Sequence, residues 1–236
     1  ITTEAATGAD VIITGESGSQ MGFALGSGDL NADGRVDLIA GSVYGGTGRA
    51  YLFYNDGSIP TTGATADVIF TGHSNSFFSA SFASGDFNAA GKIDLAVGAF
   101  YYNNNYNGRV YLYYADGTNN FGTATCSGTP AICAAADADV IIDGQGGIPG
   151  NFGYSLAAGD LNADGRTDLA VGAQGPGVYI FYNDGSYPTS YAQADVAIAG
   201  VGAGDNLGTT IITGDFNADG RTDLIAEAFG APSYSN

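Results

Sequence analysis

The sequence predicts an all-β fold, a β-propeller of four blades with the last one incomplete. Three observations carry this expectation. A set of segments recurs four times along the 236 residues. Each recurrence contains short runs of Val, Ile, Leu, Phe and Tyr bounded by Gly, Asn and Asp, which is strand composition. No window of about 11 residues carries the 3.6-residue apolar period of an amphipathic helix. Four short strands per unit, repeated at this spacing, point to propeller blades rather than to a helical solenoid.

The first repeat, 10–58, holds DVIITG at 10–15, GDLNADGRVDLIAG at 28–41 and GRAYLFYNDGS at 48–58. The second, 67–117, holds DVIFTG at 67–72, GDFNAAGKIDLAVG at 85–98 and GRVYLYYADG at 108–117. The third, 139–186, holds DVIIDG at 139–144, GDLNADGRTDLAVG at 159–172 and GVYIFYNDGS at 177–186. The fourth, 195–236, holds DVAIAG at 195–200 and GDFNADGRTDLIAE at 214–227, with no counterpart of the third strand. An insertion at 118–138 lengthens the second interval and contains Cys126 and Cys133. Two cysteines this close, with no second pair or His cluster, are expected to form a local disulfide. Tyr51, Phe53 and Tyr54 on the third strand are expected to fill the space between blades. The repeats are read as one domain spanning 1–236.

The formal net charge is −18, from 24 acidic and 6 basic residues. Such acidity repels phosphate backbones and argues against nucleic-acid binding. No apolar run is long enough to span a bilayer as a helix. The acids are unevenly chosen, with 21 Asp and 3 Glu. Asp is a poor helix former and a good turn and metal-loop residue.

Eleven of the Asp residues fall in one recurring loop, D-x-N-x-D-G-x-x-D. It is complete at Asp29, Asn31, Asp33, Asp37, at Asp160, Asn162, Asp164, Asp168, and at Asp215, Asn217, Asp219, Asp223. Oxygen-bearing side chains at positions 1, 3 and 5 converge when such a loop curls, Gly at 6 permits the turn, and Asp at 9 closes the ring. The backbone carbonyl of position 7 is expected to face inward, at Arg35, Lys92, Arg166 and Arg221. Hard oxygen donors suit Ca²⁺, whereas Zn²⁺ wants His or Cys. Carboxylates brought within about 4 Å repel by about 4 kcal/mol per pair at an effective dielectric near 20, so the loop needs a cation. Three strong Ca²⁺ sites are expected. The second repeat keeps Asp86, Asn88 and Asp94 but has Ala90 at position 5, so its site is weak or empty. The flanking segments are strands and position 12 lacks the bidentate Glu, so this is no EF-hand, and affinity is expected near about 10⁻⁴ to 10⁻³ M.

With these loops in its repeats, the chain resembles the FG-GAP repeat family, the repeats of integrin α subunit propellers. The FG element reads as Gly22-Phe23, Phe78-Ser79, Phe152-Gly153 and Leu207-Gly208, and the GAP element as GSV at 41–43, GAF at 98–100, GAQGP at 172–176 and FGAP at 229–232. The resemblance implies a calcium-stabilised propeller with the metal loops on one face. It also implies about seven blades in integrin-like rings. Either DVIITG closes a small ring by joining the last blade, or a neighbouring chain or further sequence completes it. An unfilled strand edge is a template for strand addition.

Function is expected to be non-catalytic: a secreted or cell-surface module for interaction, adhesion or assembly. The alternatives are a structural subunit of an extracellular filament completed by strand exchange, and a lectin-like binder or accessory domain of a hydrolase. Partners are expected to be a protein, a glycan or identical subunits. The loop Tyr101, Tyr102, Asn103, Asn104, Asn105, Tyr106 offers stacking rings and amides for recognition. The single His73, in the loop TGHSNS, is expected to be solvated, since a lone loop His does not by itself make a triad. Calcium loops, few Lys and a disulfide favour an extracellular location. The polar start ITTEAATG is not a signal peptide, so the chain is expected to be a mature form after processing or an excised part of a longer one.

Overall fold

The computed structural model describes residues 11–43, 47–102, 106–115, 121, 126, 128–144, 150–202 and 204–230. Asn103 to Asn105 of the Tyr/Asn loop, Asp10 of DVIITG and parts of the 118–138 insertion lie outside these residues.

The described residues form strands and short 3₁₀ turns without an α-helix, in four sheets that follow chain order. The first sheet runs β1 (Met21–Gly28), β2 (Asp37–Ser42), β3 (Arg49–Phe53), β4 (Val68–Thr71). The second runs β5 (Phe78–Gly85), β6 (Asp94–Ala99), β7 (Arg109–Tyr113), β9 (Val140–Asp143). The third runs β10 (Phe152–Gly159), β11 (Asp168–Ala173), β12 (Gly177–Phe181), β13 (Val196–Ala199). The fourth holds β14 (Ile211–Gly214) and β15 (Asp223–Ala226). This arrangement fits a β-propeller. The sheets cut the chain one strand later than the sequence repeats do. Each DV strand closes the sheet before it, because antiparallel pairing with the third strand buries its apolar face at once.

The insertion contributes a strand of its own, β8 (Ala131–Ala134), which pairs in parallel with β4 and widens the first sheet to five strands. Cys133 on β8 is fully buried and forms the expected disulfide with Cys126, Cα to Cα 4.7 Å. Phe70 and the buried Phe121 pack beside it. Closing so short a loop stabilises by about 2.5 kcal/mol in the chain-entropy picture. Reduction is therefore expected to lower the melting temperature by about 5–10 °C. A melting curve unmoved by reductant would refute this role.

The core lies between consecutive sheets. Ile39, Leu52, Tyr54 and Phe70 meet Phe78, Val97, Tyr111 and Tyr113 at the first joint. Leu112 and Ile142 meet Phe152, Leu156, Leu169 and Phe181 at the second, and Ala157 and Ala170 meet Ile211 at the third. Tyr51 and Phe53 do not fill that space. Strand alternation sends them to the opposite face of the first sheet, where they pack with Ala40, Ile69, Ile13 and Ile59. Each such ring contributes about 1.5–3 kcal/mol on burial.

The close contacts between sheets run β1 to β5, β5 to β10 and β10 to β14, and no comparable contact among the described residues joins β14 or β15 to β1. Closure by the N-terminal strand is not seen. Residues 11–13 form no strand, and Thr14 bridges to Thr62 beside the first sheet. The structural FG element also differs at its first copy. Register shifts fall after Met21, Phe78 and Phe152, and the next residues, Gly22, Ser79 and Gly153, have φ of 94°, 70° and 84°. Met21-Gly22, not Gly22-Phe23, is the equivalent pair.

Candidate metal centre

Each Asp loop joins the first and second strands of a sheet, starting from a pair in register: Gly28 with Asp37, Gly85 with Asp94, Gly159 with Asp168, Gly214 with Asp223. The loop wraps its own backbone around the first Asp. The N–H of Asp33 donates to Asp29 Oδ1 at 3.0 Å and to Asn31 Oδ1 at 3.0 Å, and Gly34 N–H donates to Asp29 Oδ2 at 2.9 Å. The same three bonds recur with Asp164 and Gly165 on Asp160 and Asn162. They recur again with Asp219 and Gly220 on Asp215 and Asn217. At position 5, Asp33, Asp164 and Asp219 each accept from the N–H of Arg35, Arg166 and Arg221 at 2.9 Å. The side chains of Arg35 and Arg166 turn away and donate to the Asn55 and Asn183 carbonyls at 3.1 Å.

The backbone path needs two left-handed residues. Position 6 is the expected Gly, with φ of 86°, 79°, 88° and 84° at Gly34, Gly91, Gly165 and Gly220. Position 4 is Ala in every repeat, with φ of 60°, 57°, 62° and 61° at Ala32, Ala89, Ala163 and Ala218. A non-glycine residue in this region costs about 1–2 kcal/mol. The turn is therefore held by its side-chain bonds, and nothing in the sequence marks Ala as its conformer.

Position 9 does different work from positions 1, 3 and 5. Asp37 is buried and accepts from Leu30 N–H at 2.8 Å and Asn55 N–H at 2.9 Å. Asp94 does the same with Phe87 and Ala115, and Asp168 with Leu161 and Asn183, all at 2.8 Å. This carboxylate ties the loop to the end of the third strand. In the fourth sheet Asp223 keeps the Phe216 bond, at 3.0 Å. Burial pushes the carboxyls of Asp37, Asp94 and Asp168 up, Asp94 to about 6, against the pull of those amides. Neighbouring loop carboxylates push in the same direction: Asp33 and Asp29 on Asp37, Asp86 on Asp94, Asp164 on Asp168. Among the described residues no three or more acidic, His or Cys side chains are drawn to one point as a metal group. The donors fit a hard cation in kind and charge, being carboxylate and amide oxygens without a thiol or imidazole.

The second repeat provides an internal control. With Ala90 at position 5, its N–H still donates to Asp86 Oδ1 and Asn88 Oδ1 at 2.9 Å, and Gly91 N–H to Asp86 Oδ2 at 2.8 Å. The turn forms without the third acid. Loop shape therefore does not require Asp33, Asp164 or Asp219.

A second set of Asp residues was not singled out in sequence. Asp67, Asp139 and Asp195, which open the outer strands, accept from the N–H of Tyr54, Tyr114 and Tyr182 at 2.7–2.8 Å. They cap the third strand. The fixed spacing of DV in every repeat was the available signal.

The Tyr/Asn loop lies at the other end of the strands from the Asp loops, since it joins the second strand to the third. Tyr101 packs edge-on with Tyr106 at 4.5 Å and with Phe77 at 5.6 Å. Phe100 bridges Phe77 and Tyr154 at 5.0 and 4.9 Å. Tyr102 is engaged inward: Arg109 stacks on it at 3.7 Å and His73 meets it at 5.5 Å. Arg109 also pairs with Asp143. His73 is thus an aromatic neighbour in this cluster, and Tyr106 is its most exposed ring among the three loop tyrosines.

Among the described residues no helix is long and apolar enough to cross a membrane. The FG-GAP repeat profile matches residues 152–187, and an FG-GAP-like repeat profile matches residues 29–97. The chain is similar to phosphatidylinositol-glycan-specific phospholipase D of Mus musculus, 34% identical over 161 residues, covering 63% of this chain and 18% of that protein. The Bos taurus counterpart is 31% identical over 195 residues, covering 72% of this chain and 21% of that protein. Integrin alpha-7 of Rattus norvegicus is 31% identical over 176 residues, covering 70% of this chain and 14% of that protein. The chain therefore spans about a fifth or less of the length of these relatives.

Proposed function

Because this chain belongs to the FG-GAP repeat family, we propose that it is a calcium-stabilised, non-catalytic interaction module acting outside the cell or at its surface. One observation carries the calcium reading. The loop of the second repeat folds in the same way with Ala90, yet the other three repeats place a third carboxylate there. An acid that the turn does not need, set among like charges, is unfavourable unless a cation offsets it. Asp29, Asn31, Asp33 and Asp37 would hold the ion in the first repeat, Asp160 to Asp168 in the third and Asp215 to Asp223 in the fourth. The position-7 carbonyls of Arg35, Arg166 and Arg221 would complete the set, and Asp86, Asn88, Asp94 and Lys92 would form a weaker site. The bound ion supplies charge neutralisation and ties positions 1 to 9 of the loop together.

Titration calorimetry is expected to give three Ca²⁺ per chain, and two for Asp164→Ala. Chelation is expected to lower the melting temperature by about 10 °C or more, since three sites, each with calcium at about ten times its Kd, contribute about 4 kcal/mol together. Absence of binding, with equal melting curves in calcium and chelator, would sink the reading.

For the interaction itself, the ring cluster of Phe77, Phe100, Tyr101, Tyr106 and Tyr154 is the proposed contact surface, for a protein or a glycan. Asp37 and Asp168, which end GRVD at 34–37 and GRTD at 165–168, are buried and bonded to backbone amides, so these two strings offer no carboxylate to a partner. The similarity to phospholipase D sequences favours a second reading, a non-catalytic domain beside a hydrolase. Phospholipase activity in the isolated chain would overturn the non-catalytic assignment.

A further inference from the structure

The three joints between sheets share one construction. The leaving face of each sheet carries small residues where the next sheet inserts a large one. Phe82 sits over Gly26 and Gly41, where an added Cβ would come within 3.0 and 3.1 Å of it. Leu156 and Ile211, in register with Phe82, are 8% and 4% exposed and pack in the same core clusters as Ala83 and Ala157, the register equivalents of Gly26. The second-strand glycine is the tightest point. A Cβ at Gly41, Gly98 or Gly172 would lie 2.2 Å from the carbonyl oxygen of Ser79, Gly153 or Gly208 in the next sheet. Hydroxyls complete the joint: Ser81 donates to the Gly153 carbonyl and Ser155 to that of Gly208, both at 2.8 Å. A branched residue, Ile93, Thr167 or Thr222, rests on Gly28, Gly85 or Gly159.

Among the described residues, the first sheet leaves the β1 side of this entering half uncovered, while Ile13 and Ile59 cover Tyr51 and Phe53 farther along the same face. Leu25, in register with Phe82, Leu156 and Ile211, is 67% exposed, and Val36, in register with Ile93, is 63% exposed. The fourth sheet presents the leaving half with two departures. Gly214, Thr210 and Ile225 match Gly28, Ser81 and Ile39 in register. Ile212, however, stands where the other sheets have Gly26, Ala83 and Ala157, and it is exposed. Glu227 stands where they have Gly41, Gly98 and Gly172, its N–H bonded to the Thr210 carbonyl as that register requires.

We propose that Ile212 and Glu227 form a stop that prevents the uncovered face of the first sheet in one copy from docking on the fourth sheet of a second copy. A glutamate at the glycine position puts its Cβ against the entering backbone carbonyl and its carboxylate beside that oxygen, unpaired and desolvated. Ile212 occupies the space that Leu25 would enter. Without the stop, the two faces are complementary and heterologous, so copies would add head to tail without closing.

Light scattering across a concentration series tests this on the whole chain with calcium. The wild type is expected to remain at its monomer mass of 23.7 kDa. Ile212→Ala with Glu227→Gly is expected to at least double the weight-average mass at high concentration, and adding Leu25→Glu is expected to return it to the monomer. Two results overturn the proposal: a wild type that already associates and is dispersed by Leu25→Glu, or a double variant with wild-type circular dichroism that stays monomeric. Should the double variant not fold, Glu227→Gly alone carries the same test, because it removes both the Cβ and the charge.

Discussion

Gly98→Val is expected to part the second sheet from the third and to lower stability by about 4 kcal/mol. An added Cβ at this position would lie 2.2 Å from the Gly153 carbonyl oxygen and 2.2 Å from Ser81 Oγ. One obstacle is backbone, so relief requires the sheets to move apart. Overpacking of this kind costs about 1–3 kcal/mol or more, and the bond from Ser81 to Gly153 is lost with it, about 1 kcal/mol further. For a chain of this length the melting temperature should fall by about 10 °C. Gly91→Ala is the control. Its site has φ of 79° with open space around the added Cβ, so it carries only the backbone cost of about 1–2 kcal/mol. Equal melting shifts for the two variants would show that sheet contact is not what selects Gly98.

Asp168→Ala is expected to be nearly as damaging, although it deletes no apolar contact of the core. Both oxygens of this fully buried carboxylate accept backbone N–H groups at 2.8 Å, one from Leu161 in the loop and one from Asn183 beyond the third strand. Hydrogen bonds to a charged acceptor contribute about 1.5–3 kcal/mol each, and the two donors are left without partners. A loss of about 3–5 kcal/mol follows. Asp164→Ala, at position 5 of the same loop, should cost far less in chelator, because Ala90 occupies that position in the second repeat without changing the turn. In calcium the position-5 variant should lose one bound ion of the three while keeping its fold. Urea denaturation of both variants, with and without calcium, separates the carboxylate that holds the fold as well as the ion from the one that serves the ion alone. If Asp164→Ala is as destabilising as Asp168→Ala in chelator, the division of labour between positions 5 and 9 is wrong.

The Asp residues show how far sequence reading reaches. Repetition at fixed spacing identified the loop, its Gly at position 6 and the exceptional Ala90. It gave position 9 a ligand's role alone. The buried amides that Asp37, Asp94 and Asp168 hold come from residues up to 21 positions away, and no local pattern lists such partners. The Tyr/Asn loop divides in a similar way. Its composition suggested a recognition surface, but whether a ring faces outward or covers Arg109, as Tyr102 does, depends on what packs beneath it.

By itself the sequence determined the strands that flank the Asp loops, the hairpin loops, the disulfide and the fourfold repetition, since these rest on local composition and on spacing along one chain. The tertiary structure decided which sheet owns each DV strand and that the insertion adds a parallel strand through Cys133. It also decided why Gly98 is Gly while Glu227 is tolerated. Those outcomes depend on backbone from another sheet approaching within van der Waals contact, a distance set only when the sheets stack.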